Sequence, residues 1–147
     1  MDWTTIKQEL YFEDGSLRDI VVDADMALEK WVLICSFLYK NYRLSVFCDG
    51  DKIDDDFNYL LVKNMLSDDE HSYYVSFSVC EVQLHLYFWG SQYLEFDLFP
   101  NEVDSLEKHM AILDFMAQLS NLLSFTVKLT GESCHDTPLL EVEPVAL

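Results

Sequence analysis

Three consecutive runs of alternating apolar residues constrain the fold of this chain most strongly. They cover Tyr73–Cys80, Val82–Trp89 and Tyr93–Phe99, with a Gly90-Ser91-Gln92 turn before the third run and Pro100 after it. Because successive side chains of a strand point to opposite faces, the alternation predicts three strands that share one apolar face. We expect this face to be buried, and it comprises Tyr73, Val75, Phe77, Val79, Val82, Leu84, Leu86, Phe88, Leu94, Phe96 and Leu98.

The opposite side of these strands combines aromatic rings with carboxylates. It is too aromatic for an ordinary wet surface and too acidic for a second core, so we interpret it as a binding surface. The alternative is that its aromatic residues pack under the C-terminal tail or form a homodimer contact. Its candidate partner-binding residues are His85, Tyr87, Trp89, Tyr93, Glu95 and Asp97, and we add the acidic run Asp54, Asp55 and Asp56. The remaining residues of this side are Tyr74, Ser76, Ser78, Cys80, Gln83 and Phe99.

The charge balance limits the partners of the chain. Among 147 residues, 27 Asp and Glu stand against nine Lys and Arg, which gives a formal net charge of −18. Nucleic acids and anionic membranes are bound through basic patches, so we expect neither as a direct partner. A basic protein is the expected partner, and the alternative is that the acidity only maintains solubility.

The cysteines indicate a reducing compartment. Cys35, Cys48, Cys80 and Cys134 are widely separated and include no CxxC pair, so we expect buried free thiols and neither a disulfide framework nor a zinc site. The N-terminus does not resemble a signal peptide, and no segment has the length and apolar character of a membrane span. The expected location is the cytoplasm.

The N-terminal half is predicted to open with a hairpin of strands Thr4–Phe12 and Leu17–Val22, joined at Asp14-Gly15. A helix should follow from Met26 to about Tyr39, capped by Asp23 or Asp25. The next predicted elements are a strand over Arg43–Cys48, an Asp49-Gly50 turn, a short helix through Tyr59–Leu66 capped by Asp55 or Asp56, and an exposed Ser67–His71 loop.

The C-terminal half is predicted to contain the best-formed helix, opened by a capping box of Asp104 and Glu107. Its core stripe would be Leu106, Met110, Leu113, Met116 or Ala117, Leu119 or Ser120, and Leu123. A strand over Phe125–Thr130 should end at Gly131. We therefore predict one domain over residues 1–131 and an extended or disordered tail over residues 132–147.

These elements predict the α+β class. A mainly antiparallel sheet of about five to seven strands, with two long helices packed on one face, accommodates the order hairpin, helix, strand, short helix, three strands, helix and strand.

No catalytic apparatus is recognisable in the sequence. The Asp49–Asp56 run does not match the ligand spacing of an EF-hand, and His71, His85, His109 and His135 occur in no metal-binding spacing. We expect His109 on the charged edge of its helix, His85 near Glu95 or Asp97, and His135 in a tail where nothing orients it. The prediction is a protein that is not an enzyme, with no cofactor and no metal.

Two stretches resemble a known family. Residues 10–20, LYFEDGSLRDI, and residues 88–103, FWGSQYLEFDLFPNEV, are similar to segments of small acidic immunity proteins encoded beside bacterial polymorphic toxins, including those of contact-dependent growth inhibition. The elements between these stretches occur in a compatible order. The resemblance implies a stoichiometric inhibitor of a cognate toxin domain, often a nuclease with a basic active-site mouth.

Two other interpretations stay open. An acidic secretion chaperone would dimerise through a helix and hold an effector protein in extended form. An enzyme would require His85, Glu95 and Asp97 to converge in an enclosed pocket.

Overall fold

One antiparallel sheet with helices on its apolar face makes up the described part of the chain. The computed structural model describes residues 2–53, 57–89 and 94–145. The order of elements confirms the predicted α+β class, with eight strands instead of five to seven. The elements are α1 (Trp3–Leu10), β1 (Arg18–Val22), α2 (Leu28–Asn41), β2 (Ser45–Cys48), β3 (Asp51–Ile53), α3 (Tyr59–Ser67), β4 (Tyr73–Val79), β5 (Val82–Tyr87), β6 (Leu94–Leu98), a 3₁₀ turn (Pro100–Glu102), α4 (Leu106–Leu123), β7 (Val127–Gly131) and β8 (Leu140–Val142).

The predicted three-strand stretch lies in the middle of the sheet. The strand order is β3-β2-β4-β5-β6-β1-β7-β8, and every neighbouring pair is antiparallel. Strand β1 is inserted between β6 and β7, so a strand from the N-terminal region lies inside the sheet. The predicted Gly90-Ser91-Gln92 turn lies outside the described residues. At the far edge, Asp49 and Gly50 both have positive φ, 50° and 88°, and form the expected tight turn between β2 and β3.

The apolar face of the sheet is buried under α2 and α4, as predicted. Phe115 of α4 packs against Phe77 of β4 and Phe96 of β6, with ring centroids 5.8 and 5.4 Å apart. Trp31 of α2 stacks on Phe88 at 5.3 Å. Because both long helices pack on this face, they leave the opposite face of the central strands uncovered.

The first element is a helix, so the predicted strand over Thr4–Phe12 and the opening hairpin are wrong. Ile6 and Leu10, both buried, are four residues apart, a spacing that satisfies a helix as well as an alternating strand. The carboxylate of Asp2 stabilises the helix, because its Oδ1 accepts a hydrogen bond from the amide of Thr5 at 2.9 Å and caps the first turn.

Arg18 fixes the C-terminal end of α1 to the sheet. This residue, the first of β1, is fully buried. Its guanidinium donates to the carbonyl oxygens of Leu10 at 2.8 Å, Leu17 at 3.0 Å, and Phe12. A buried charge is tolerated here because these carbonyls, some of them left unpaired by the end of the helix, accept hydrogen bonds from it.

The predicted caps of the later helices are also wrong. Helix α2 begins after Ala27, which makes no side-chain cap bond, and Glu29 provides the negative charge in the first turn. Asn58 caps α3 by accepting from the amide of Leu61 at 3.0 Å. Ser105 caps α4 by accepting from the amide of Lys108 at 3.2 Å, in place of the predicted Asp104 and Glu107 box.

Helix α4 buries a different stripe from the predicted one. Leu106 and Met110 are 45% and 54% exposed, whereas His109 is buried and does not lie on a charged edge. The buried stripe is His109, Ile112, Phe115, Met116, Leu119, Ser120 and Leu123. The C-terminal half of the predicted stripe is therefore correct, and its first turns are rotated outward.

Residues 132–145 return along the sheet. The Leu140–Val142 segment pairs with β7 to form the eighth strand. All four cysteines are free, but the expectation of buried thiols holds for Cys35 only, because Cys48 is half-buried and Cys80 and Cys134 are exposed. None of the helices in the described ranges combines the length and apolar character that crossing a bilayer requires.

Candidate functional site

The sheet register assembles the candidate site as two rows on the face opposite the helices. One row consists of Phe47, Tyr74, Tyr87 and Glu95, which are cross-strand partners on β2, β4, β5 and β6. The second row consists of Ser76, His85, Asp97 and Asp19, on β4, β5, β6 and β1. We call the set Asp19, Phe47, Tyr74, His85, Tyr87, Trp89, Glu95 and Asp97 the aromatic–acidic face.

Stacked rings form one part of the aromatic–acidic face. Phe47 and Tyr74 stack at 4.7 Å, Tyr74 and Tyr87 lie 5.8 Å apart, and Tyr87 stacks on Trp89 at 5.0 Å. Trp89 is 54% exposed, while Phe47, Tyr74 and Tyr87 are half-buried. A continuous strip of aromatic surface therefore runs across the sheet.

The two carboxylates of β6 contact different partners. Asp97, which is buried, lies 3.2 Å from Nδ1 of His85. Glu95 accepts a hydrogen bond from the indole Nε1 of Trp89 at 2.7 Å. The sequence predicted that His85 would lie near one of these acids, and the register selects Asp97. Of the three residues that the enzyme interpretation placed in one enclosed pocket, His85 contacts Asp97, whereas Glu95 contacts Trp89.

A second histidine, to which the sequence analysis gave no role, contacts two residues of the aromatic–acidic face. Nε2 of His135 lies 2.9 Å from Oδ2 of Asp19 and 3.2 Å from Oε1 of Glu95. The expectation that nothing orients His135 is therefore wrong. Sequence alone could not find this contact, since His135 and Asp19 are 116 positions apart. The segment after β7 brings them together, because it places Ser133 and His135 against Asp19 of β1.

Burial changes the acid–base behaviour of the face. Partial burial raises the pKa of Glu95 above its usual range, although the hydrogen bond from Trp89 opposes the shift. Burial also raises the pKa of Tyr87, and the neighbouring Asp97 carboxylate adds to this effect. Tyr87 therefore stays a neutral hydrogen-bonding phenol at physiological pH.

The predicted site residues divide into two groups. His85, Tyr87, Trp89, Glu95 and Asp97 are brought together on the aromatic–acidic face with Tyr74, which the alternation also predicted on this side. The structure adds Asp19 and Phe47 to the face and the contact of His135 with it. Tyr93 and the acidic run Asp54, Asp55 and Asp56 lie outside the described residues.

A separate cluster lies at the β2–β3 turn. Nδ1 of His71 is 2.7 Å from Oδ2 of Asp49, and Sγ of Cys48 is 4.0 Å from the same oxygen. The hydrogen bond with Asp49 raises the pKa of His71, and the hydrogen bonds from Ser72 and His71 lower that of Asp49. His71 and Asp49 are exposed, so this cluster is a solvated turn.

The fold and the site together define an α+β protein with one sheet face covered by helices and an opposite face that the helices leave uncovered. Comparison of the chain with protein families, with curated proteins and with solved structures found no match.

Proposed function

We propose that this protein is an immunity protein, which binds a cognate basic toxin domain of nuclease type through the aromatic–acidic face and neutralises it stoichiometrically. The observation that carries the proposal is the exposed Trp89, which stacks on Tyr87 and donates a hydrogen bond to the carboxylate of Glu95 on the sheet face that the helices leave uncovered. The resemblance of residues 10–20 and 88–103 to such proteins supports it.

Charge complementarity supports a basic partner. A nuclease must attract phosphate, so its active-site mouth is basic, and a net charge of −18 on this chain would steer the two proteins together. Such a complex would neutralise the toxin by blocking its active site or by holding it away from its substrate. Neither mode of inhibition needs catalysis by the inhibitor. The free cysteines agree with action in the reducing cytoplasm, where the toxin would be met.

The stacked rings supply the affinity that charge alone does not. Binding energy in protein interfaces is concentrated in a few aromatic and arginine side chains that become desolvated. Trp89 is held against Tyr87 and hydrogen-bonded to Glu95, so its orientation is already fixed before a partner arrives. Preorganisation of this kind reduces the entropic cost of association.

The decisive experiment uses the cognate toxin domain, which we expect a neighbouring gene to encode. Co-expression should protect cells, and the purified pair should bind with one-to-one stoichiometry. Trp89→Ala should weaken binding by about 30-fold or more, the size of an interface hot spot. Tyr39→Ala, a matched change of an exposed ring on α2, should leave binding unchanged. Failure of the wild-type chain to bind or protect would exclude the proposal.

The secretion chaperone is a second candidate, because α2 and α3 expose large apolar side chains. Leu33, Tyr39, Tyr59 and Leu60 are 44%, 63%, 54% and 63% exposed. A helix-mediated dimer would cover such residues. A dimer in light scattering that Tyr39→Ala converts to a monomer would favour the chaperone, whereas a wild-type monomer would argue against it.

A further inference from the structure

Three segments that are distant in sequence direct one donor atom each to a common point. Oδ2 of Asp19 comes from β1, Oε1 of Glu95 from β6, and Nε2 of His135 from the segment between β7 and β8. All three atoms lie within 4.8 Å of one another. We propose that Asp19, Glu95 and His135 form a binding site for a divalent transition-metal ion, with zinc as the preferred class.

Two of the three distances between the donors fit a coordination shell, and the third, between the two carboxylates, is at most 4.8 Å. Zinc binds imidazole nitrogen and carboxylate oxygen at about 2.0–2.2 Å, so neighbouring ligand atoms lie roughly 2.9–3.5 Å apart for bond angles between about 90° and 109°. The nitrogen of His135 lies 2.9 Å from the oxygen of Asp19 and 3.2 Å from that of Glu95. An ion can therefore bind all three donors with small side-chain adjustments.

The donor set selects the class of ion. One imidazole with two carboxylates is a ligand combination of zinc sites, and it leaves positions for water. Calcium and magnesium prefer shells made of oxygen alone. On binding, the ion would occupy the lone pair of Nε2, with the imidazole proton on Nδ1, and its two positive charges would balance the two carboxylates.

The outer contacts hold two of the ligands in place. The indole of Trp89 donates to the other oxygen of Glu95, Oε2, at 2.7 Å and turns Oε1 toward His135. The amide of Ser133 donates to Oδ2 of Asp19 at 3.2 Å. Hydrogen bonds to the ligands of a metal commonly orient them in this way. Asp19 is also buried, so its orientation is constrained by packing.

A bound ion would join the C-terminal segment to the centre of the sheet. His135 lies in the return segment, whereas Asp19 and Glu95 belong to two adjacent strands. The ion would therefore fasten residues 132–139 over β1 and stabilise the folded chain, because the unfolded chain does not bring these donors together. This inference concerns metal binding and does not require the proposed toxin partner.

The test is calorimetric titration of the full chain with ZnCl₂ at about pH 7.5, because metal binding to imidazole and carboxylate depends on pH and the pH must be held fixed. We expect one site per chain, a ligand-field absorption spectrum when Co²⁺ replaces Zn²⁺, and a higher urea midpoint in the presence of Zn²⁺. His135→Ala, at a partly exposed side chain that should not prevent folding, should raise the dissociation constant at least about tenfold and remove the Co²⁺ spectrum. His135→Gln should have the same effect and serves as a second variant.

His71→Ala is the matched control, since His71 belongs to the other histidine–carboxylate cluster, with Cys48 and Asp49. It should leave the affinity and the Co²⁺ spectrum unchanged. Absence of stoichiometric zinc binding to the wild-type chain would overturn the proposal. Retention of full affinity by both His135 variants, or its loss in His71→Ala alone, would also overturn it.

Discussion

The hydroxyl of Tyr11 lies 2.7 Å from Nδ1 of His109, and both side chains are buried. This contact joins the residue that follows α1 to the first turns of α4, across 98 positions of sequence. A neutral imidazole protonated on Nε2 accepts a hydrogen bond from the phenol at Nδ1, so the pair is satisfied without charge. Protonation of His109 would remove this acceptor inside the core.

We expect His109 to make the protein less stable as the pH falls. Burial lowers the pKa of His109 below its ordinary value of 6.5, so the unfolded chain binds a proton more readily than the folded chain. The contribution of His109 is fully present above that value and is lost as the pH falls through the lowered pKa. Urea denaturation between about pH 7.5 and 5.5 should show wild type losing stability relative to His109→Gln, by at most about 1.4 kcal/mol per pH unit.

His71→Gln provides the control for this pH dependence. The hydrogen bond with Asp49 raises the pKa of His71, so its contribution is present at low pH and is lost as the pH rises. The difference between wild type and His71→Gln should therefore change with pH in the opposite direction. Parallel curves for wild type and His109→Gln would contradict the assigned role of His109.

Replacement of Arg18 should destabilise the fold strongly. Arg18→Met leaves the carbonyl oxygens of Leu10, Phe12 and Leu17 without their donor, so we expect the free energy of unfolding to fall by about 3 kcal/mol. Arg43→Met, at an exposed position, should change it by less than about 0.5 kcal/mol. Equal effects in urea denaturation would show that Arg18 does not fix α1.

The four cysteines should differ in reactivity. Burial raises the pKa of Cys35 to about 12, and the thiol is inaccessible, so iodoacetamide at about pH 8 should not modify it in the native protein. Cys80 and Cys134 are exposed and should be labelled first. Peptide mass spectrometry with and without urea measures the order in which the cysteines are labelled. Labelling of Cys35 as fast as Cys80 in the native protein would contradict the burial of Cys35 in the core.

The carboxylate of Glu95 should affect how fast the proposed partner binds. Glu95→Gln keeps an oxygen that can accept from Trp89 but removes a negative charge from the aromatic–acidic face. We expect association with a basic toxin domain to slow by roughly two- to fivefold at low salt, with a weaker dependence on ionic strength. Stopped-flow association at two salt concentrations measures both effects.

Glu107→Gln provides the control for this charge effect. It makes the same change at an exposed position on α4, on the other side of the sheet, and should alter the association rate less. Equal effects of Glu95→Gln and Glu107→Gln on the association rate would mean that the net charge of the protein, and not the position of Glu95, controls association.

The central strands could be predicted from the sequence because their signal is local. Alternation over Tyr73–Phe99 requires one buried face whatever surrounds it, and the Asp49-Gly50 pair specifies a tight turn through its own backbone preferences. The aromatic–acidic character of the other face follows from the same alternation, so its candidate residues within the described ranges were placed together correctly.

Tertiary contacts decided the features for which local patterns are ambiguous. Ile6 and Leu10 suit a strand or a helix, and the Asp2 cap together with Arg18 selected the helix. Helix α4 carries apolar residues on more than one side, and its packing against Tyr11 selected the side with His109. The approach of His135 to Asp19 depends on the return of residues 132–145 to the sheet, a pairing between distant segments that no local spacing encodes.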